Sequence, residues 1–362
     1  MIGVSGYGIS MNRFMTMQRV VIAGSIGWIV AITLLHAKLN LGTFDRAASA
    51  ERAIVERFRV GYIPVTCHLT CPVTNFINER TKGDGLFEPV RFSGWPELKE
   101  TFLSGDLDAS FILAPMAIAL REQGVPLKIV YLGHRDGTAL MARKDSNIFK
   151  IEDLRGKKIA VPNRFSNQLL ILYKVMKDRG MNIKDCDIVE LPAPDMAAAL
   201  FTRAVDAVIS GEPFMAQTEM DGYGRVIFLT KDVWPGFISC VLAVPDRVIK
   251  TRRGDVQKLV DGIAKSGKWL DQSPKHRMTA AEFAGNLYYH QNPELLKFVL
   301  SKPPDRVKYT NLAVVRRDFE EIEALGREAG VLKGTARFQD YADPSFVQDE
   351  SAIKPYEWEG PP

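Results

Sequence analysis

Within the stretch GYIPVTCHLTCPVTNF, residues 61–76, Cys67, His68 and Cys71 fall inside five positions. Thiols beside an imidazole can bind a soft metal, exchange disulfides, or simply line a binding loop. Cys67 and Cys71 are four residues apart, so on one continuous helix they would share a face. A disulfide between them would distort that helix's first turn, because both sulfurs must meet. A helix starting here would also put Cys67 at its N-terminus, where a thiol pKa falls. The residues alone leave these readings open, and the elements that position them must decide.

The rest of the chain narrows the choice by omission. It contains no G-x-x-x-x-G-K-[ST], H-E-x-x-H, G-x-S-x-G or C-x-x-C pattern, which excludes the common nucleotide-driven and single-motif catalytic classes. With 362 residues, 46% hydrophobic and 25% charged, the chain is long enough for two or three domain-sized units with a substantial core. A net charge of +4 is too small to point to nucleic acid and tilts only mildly toward anionic ligands. Four cysteines in such a length are no disulfide framework.

Arg13 and Arg19 precede the apolar run VVIAGSIGWIVAITLL, Val20 to Leu35. Basic residues ahead of an apolar run read as an export signal or membrane anchor, residues 1–37, with the bulk of the chain on the exported side. Leu35-His36-Ala37 is a poor cleavage site and Ala48-Ser49-Ala50 lies far from the run, so cleaved and retained forms both stay open. Residues 38–57 read as a linker.

From Phe58 onward strands and helices alternate, which calls for βαβ units and a mainly parallel sheet. FRVGYIPV, LFEPVRFS, LDASFILAP and PLKIVYLGH are strands separated by helical patterns, and the grammar restarts at KKIAVPN, CDIVELPA, VDAVISGEP and GRVIFLTKD. LSGDLDASFILAPMA and FTRAVDAVISGEPFMA match in style, each running helix, Asp-Ala, buried strand, proline, helix. After the strand FISCVLAVPDR only helical patterns follow, and the proline-bearing tail, residues 331–362, is expected to lie across the surface with part of it disordered.

GYIPVT, GWPELKETFLSGDLDASFILAPMAIAL, EDLRGKKIAVP and DAVISGEPF resemble the nitrate/sulfonate/taurine/bicarbonate-binding branch of the type II periplasmic solute-binding proteins of ABC importers, over about residues 58–330. The resemblance implies an α/β fold of two lobes, a Venus flytrap, preceded by the membrane segment and ending in helices. Lobe 1 would be residues 58–140 plus 237–330 and lobe 2 residues 141–236, with GTALMARKDSN and FISCVLAVPDR as the crossovers. It implies a periplasmic protein, anchored to the inner membrane if the segment is retained. That protein would hand a small oxyanion, sulfonate or similar solute to a membrane permease, with no catalysis, cofactor or metal.

In open α/β sheets ligands sit beyond the carboxyl ends of strands, where helix N-termini present free N–H groups. The strand ends nominate Thr66, Cys67 and His68; Ser93, Gly94 and Trp95; Ala114, Pro115 and Met116; His134 and Arg135; Asn163, Arg164, Ser166 and Asn167; and Glu212 and Trp234. Only Trp95, after Ser-Gly, also matches the branch's aromatic at that loop. Each has a plainer reading: Trp95 and Trp234 as packing, Arg164 as a solvated charge, Glu212 as a carboxylate at a helix start that would repel an anion, His134 and Arg135 as local partners of Asp136. Cys240, near the second crossover, would approach the same cleft, and with Cys67, Cys71 and His68 would suit a soft metal or metalloid. On this reading residues 61–76 are the first ligand loop and the thiols are secondary. Two other classes compete: a cleft enzyme like the pyrimidine-biosynthesis relatives of the superfamily, and a membrane-tethered ligand sensor.

Overall fold

The computed structural model describes residues 10–40, 57–83 and 85–360, and it divides into two units, Met1–Arg57 and Phe58–Pro362. In the first, helix α1 (Ser10–Asn40) is continuous. Its segment Arg19–His36 is apolar and entirely exposed, long and apolar enough by composition to cross a membrane. The proposed cleavage site at 48–50 and most of the 38–57 linker lie outside the described residues.

The second unit is built on two five-stranded sheets. Its elements run in the order β1 (Arg59–Tyr62), α2 (Thr70–Lys82), β2 (Glu88–Arg91), α3 (Trp95–Ser104), β3 (Ala109–Leu113), α4 (Ala114–Glu122) and β4 (Leu127–Leu132). There follow β5 (Thr138–Arg143), β6 (Lys158–Val161), α5 (Asn167–Lys177), β7 (Asp187–Glu190), α6 (Ala193–Phe201), β8 (Ala207–Gly211), α7 (Phe214–Met220) and β9 (Gly224–Leu229). Finally come β10 (Cys240–Pro245) and helices α8 (Asp246–Gln272), α9 (Pro274–Phe283), α10 (Pro293–Ser301) and α11 (Arg316–Glu328).

The first sheet has the order β2-β1-β3-β10-β4 and the second β9-β5-β8-β6-β7. Read from β7, the second repeats the first: an edge strand, two parallel neighbours, one antiparallel strand, and a last edge. The matched phrases found in the sequence are β3–α4 and β8–α7. Both central strands are wholly buried, as a strand covered on two faces must be, so they read as unbroken apolar runs. Pro89 sits in β2, an edge strand, where a missing N–H breaks no inner ladder.

The chain passes between the sheets twice, at residues 133–137 and again between β9 and β10. The strand in GTALMARKDSN belongs wholly to the second sheet, antiparallel between β8 and β9. The change of sheet therefore falls a few residues ahead of the division at 140/141. Gly133 makes the first passage possible: a Cβ there would stand 2.3 Å from the Cys67 carbonyl oxygen and 3.2 Å from that of Cys240.

The tail departs from its expected surface course. Leu332, Tyr341, Phe346 and Val347 are buried, and the Asp343 N–H donates to the Ile129 carbonyl of β4. Trp358 packs on Trp269 at 5.4 Å, Phe76 at 5.6 Å and Phe283 at 6.2 Å between ring centroids, and its carbonyl accepts from Trp269 Nε1–H at 2.6 Å. Single aromatics at irregular spacing anchor this strap, so no period in the sequence announces it. Trp358→Ala should lower stability by about 2–3 kcal/mol, less than for a fully buried aromatic because Trp358 is half-buried; chemical denaturation of the variant measures it.

Candidate functional site

The carboxyl ends of the two sheets' parallel strands converge on one small cavity. The first sheet contributes Val65 and Cys67 after β1, Ser93, Gly94 and Trp95 after β2, and Leu113 at the end of β3. The second contributes Pro162 after β6, Ala193 and Pro194 after β7, and Ser210 and Gly211 at the end of β8; Gln168 of α5 and Ser239 close it. Among the described residues, no charged side chain lines it. Its volume of about 10 Å³ is room for roughly one water, so in this geometry the walls are closed on each other.

Helices begin at these walls. The starts of α3, α4 and α6 carry no side-chain cap, so first-turn N–H groups and the positive ends of the helix dipoles meet the cavity; Glu97 and Asp195 lie in the first turns of α3 and α6 but do not line it. The polar groups there are small and neutral: Ser93, Ser210, Ser239 and Gln168. The Gln168 amide donates to Thr138 Oγ1 at 3.1 Å and Ser239 Oγ at 3.0 Å, which leaves its buried Oε1 unpartnered.

The turn carrying Cys67 is fixed from three sides. Residues 66–68 form a 3₁₀ turn ahead of α2 rather than its first turn. The Tyr289 hydroxyl donates to the Val65 carbonyl at 2.7 Å and the Tyr309 hydroxyl to the Thr66 carbonyl at 3.0 Å. The Thr66 N–H donates to the Glu212 carbonyl at 2.7 Å, tying this turn to the end of β8 in the other sheet.

Seventeen residues were nominated at the strand ends, and the structure distributes them in four ways. Cys67, Ser93, Gly94 and Trp95 line the cavity. Trp95 also borders a second hollow of about 300 Å³, together with Met116, Asn163 and Arg164. Arg164 is mostly exposed and paired with Glu190 at 3.0 Å. Arg135 and Trp234 line a separate groove of about 800 Å³, where Arg135 is held by Asp318, the Asn311 carbonyl at 2.6 Å and the Gly236 carbonyl at 3.0 Å rather than by Asp136.

The remainder support the walls. Ser166 caps α5 through the Leu169 N–H, the Asn167 amide donates to the Ile238 carbonyl, and Ala114 and Pro115 form the first turn of α4. Thr66, His68, His134 and Glu212 are buried. Glu212 takes the Ala216 N–H at 2.8 Å and the Arg306 Nε–H at 2.8 Å. Burial pushes its carboxyl up and Arg306 pulls it back. A carboxylate committed to this pair does not face the cavity, which removes the objection it raised to an anionic ligand.

Ile63, Val65, Gln168, Ala193, Ser210 and Ser239 were not nominated, although they line the cavity. Ser210 and Gly211 stand just before Glu212, the position singled out in the sequence. Gln168 lies one residue beyond Asn167. Ser210 and Gln168 are thus missed by one or two positions, whereas Ala193 follows β7, a strand end that supplied no nominee, and Ser239 lies beyond Trp234 in the second passage between the sheets.

His134 lies wholly buried with Nε2 3.0 Å from Thr66 Oγ1. Burial lowers its pKa to about 3, from an ordinary 6.5. The unfolded chain binds this proton more tightly, so the contribution of neutral His134 is present above 6.5 and is lost progressively as pH falls below it. Stability should fall by up to about 1.4 kcal/mol per pH unit below that point on this group's account. His134→Gln should flatten that part of the pH profile, read by thermal melts from pH 7.5 to pH 4.5.

The thiols are not arranged as a helix would place them. Cys71 is buried in α2, its pKa raised by burial, while Cys67 meets Cys240, with the sulfurs 2.7 Å apart. Burial, then the hydrogen bond with Cys240, raise the Cys67 thiol, in contrast to the lowered value expected at a helix start. His68 Nδ1 meets the Ile63 backbone, accepting its N–H at 2.8 Å, and Nε2 has no partner.

Comparison with known proteins places this geometry. Residues 51–285 match the model of the NMT1-like family. The chain belongs to the NMT1-like family. Over 206 residues it is 27% identical to the taurine-binding periplasmic protein of Escherichia coli, covering 54% of this chain and 63% of that one. The chain spans between about a third and two-thirds of the length of the curated relatives it matches. The fold is that of the zinc-bound ligand-binding component of an ABC-type import system from Staphylococcus aureus, with 22% identity, a TM-score of 0.72, and coverage of 81% of this chain and 98% of that one. The periplasmic nitrate-binding protein NrtA of Synechocystis shares it, with 15% identity, a TM-score of 0.71, and 82% and 89% covered. So does an enzyme, the desulfurization enzyme DszB, with 16% identity, a TM-score of 0.58, and 81% and 98% covered. The sequence resemblance and the α/β solute-binding fold read from it are thereby shown.

Proposed function

We propose that this chain is the substrate-binding component of an ABC importer, taking a small oxyanion or sulfonate between two lobes and presenting the closed form to a membrane permease. The observation that carries this reading is the cavity itself: strand tips of two sheets face each other across it, uncapped helix starts meet it, and no charged side chain lines it. Such walls suit a small anion held by N–H groups and dipoles. With room for about one water, they admit a ligand only after the lobes part. The lobes are taken as the two sheets with their helices, hinged at the two passages between them. The relatives named above as nitrate- and taurine-binding are consistent with this ligand class. α1 fits an export segment that leaves the Phe58–Pro362 unit on the periplasmic side, free or tethered to the inner membrane.

A thermal-shift screen of the purified protein with nitrate, bicarbonate, taurine and short alkanesulfonates tests the ligand class. A true ligand at 100 times its dissociation constant should stabilise by about 2.7 kcal/mol. No shift with any of them, alongside turnover of a sulfinate or heteroaromatic compound, would replace the binder by an enzyme.

A further inference from the structure

The cavity wall carries a thiol pair that solute capture does not use. Cys67 Sγ and Cys240 Sγ lie 2.7 Å apart, closer than unbonded sulfurs rest, and 173 residues separate them along the chain. Cys67 is on the fixed turn after β1, and Cys240 opens β10, the strand that returns from the second sheet. Both backbones are clamped there: the Gly133 N–H donates to the Cys240 carbonyl at 2.9 Å, and a side chain at Gly133 would collide with the Cys67 carbonyl. The backbones that carry the two sulfurs thus meet at Gly133. We infer that Cys67 and Cys240 are a disulfide-forming pair that ties the first ligand loop to the returning strand at the cavity wall.

A ring nitrogen of His68 completes a buried cluster in which all three donor atoms lie within 4.8 Å of one another. Nδ1 is occupied by the Ile63 backbone, so the unpartnered Nε2 is the nitrogen left for the sulfurs. Two thiolates on one zinc stand roughly 3.8 Å apart, from a metal–sulfur distance of about 2.3 Å and a tetrahedral angle. A disulfide needs about 2.05 Å. The observed contact is nearer the bond, which favours disulfide over metal. Burial raises the Cys240 thiol, but the hydrogen bond from Cys67 and the neighbouring His68 outweigh it and leave Cys240 below the ordinary thiol value.

The oxidant is a small or protein disulfide, RSSR. One cysteine of the pair, as thiolate, attacks one of its sulfurs, the S–S bond breaks and one RS⁻ leaves, taking up the proton that this cysteine lost. The other cysteine, as thiolate, then attacks the protein sulfur of the mixed disulfide and releases the second RS⁻, which takes up that cysteine's proton. Two cysteine thiols and RSSR become one protein disulfide and two RSH. Both sulfurs are buried once folded, so exchange takes place while the chain folds or while the cleft is open.

Thiol counting on the denatured full-length protein tests this, after equilibration with oxidised glutathione and, separately, with dithiothreitol. The reduced protein should show four thiols and the oxidised protein two. Peptide mapping should join the Cys67 and Cys240 peptides and leave Cys71 and Cys186 alkylated. Cys67→Ser should show three thiols with dithiothreitol and no joined peptide under either condition; after oxidised glutathione its Cys240 peptide should carry at most one glutathione, the mixed disulfide that Cys67 would have resolved, read from the peptide mass. Four thiols after oxidation would overturn the inference, as would a Cys67–Cys71 link. So would a native mass raised by a bound zinc or copper ion, with all four thiols recovered on denaturation.

Discussion

Arg306→Met should cost about 3–5 kcal/mol of stability, the range for removing one partner of a buried ion pair. Arg306 and Glu212 have side chains 2% and 0% exposed. Arg306 also reaches Glu219 at 3.1 Å and the Lys302 carbonyl at 3.0 Å. Without the guanidinium, Glu212 remains buried with only the Ala216 N–H to meet its charge. Burial already raises this carboxyl, and Arg306 is what offsets it. In the variant the folded-state pKa rises further above the unfolded value, so protonation favours the folded state. The stability deficit relative to the native protein should therefore shrink as pH falls from 8 toward 5. Glu212→Gln in the same background should restore much of the loss, since an amide costs less to bury than an unpaired carboxylate. Urea denaturation of the two variants at both pH values measures this. Equal losses at pH 5 and pH 8 would contradict the account of the pair.

Trp95→Ala should abolish most ligand affinity, by tenfold to a hundredfold, while Trp234→Ala should leave it within twofold. Trp95 lines the closed cavity and the neighbouring hollow. It meets His68 edge to face, with ring centroids 5.7 Å apart and planes at 88°. A large aromatic at the centre of a desolvated site dominates binding there, at about 2 kcal/mol or more. Trp234 meets Phe237 edge to face, with ring centroids 5.5 Å apart, and faces a different groove. Calorimetric titration with whichever anion shifts the melting temperature compares the two. Comparable losses would place the ligand somewhere other than the strand-tip cavity.

How much of this was legible in the sequence follows from which forces act locally. Apolar runs in alternation with helical periods disclosed the strands, most sharply the central β3 and β8, because a strand buried on two faces has no freedom in composition. The repeated phrases disclosed the internal likeness of the two sheets. Sheet membership at the crossing was misplaced by a few residues, since an apolar run such as Thr138–Arg143 looks the same in either sheet. Strand ends nominated Cys67, Ser93, Gly94 and Trp95, which line the cavity. They misassigned Arg135 and Glu212, whose partners Asp318 and Arg306 are 183 and 94 residues away. Nothing in local sequence announces such pairs. The meeting of Cys67 with Cys240 is hidden for the same reason. A spacing of four drew attention to Cys71, whereas the fold brings together residues 173 apart.

The central claim is that two lobes close on one small anion. Small-angle scattering of the Phe58–Pro362 unit, with and without the anion that raises its melting temperature, tests it most directly. The account predicts a ligand-free form broader than the closed geometry, contracting to a profile that matches it when the anion is added. Identical profiles in both states, at saturating ligand, would mean that binding needs no parting of the sheets, and the flytrap reading would fall.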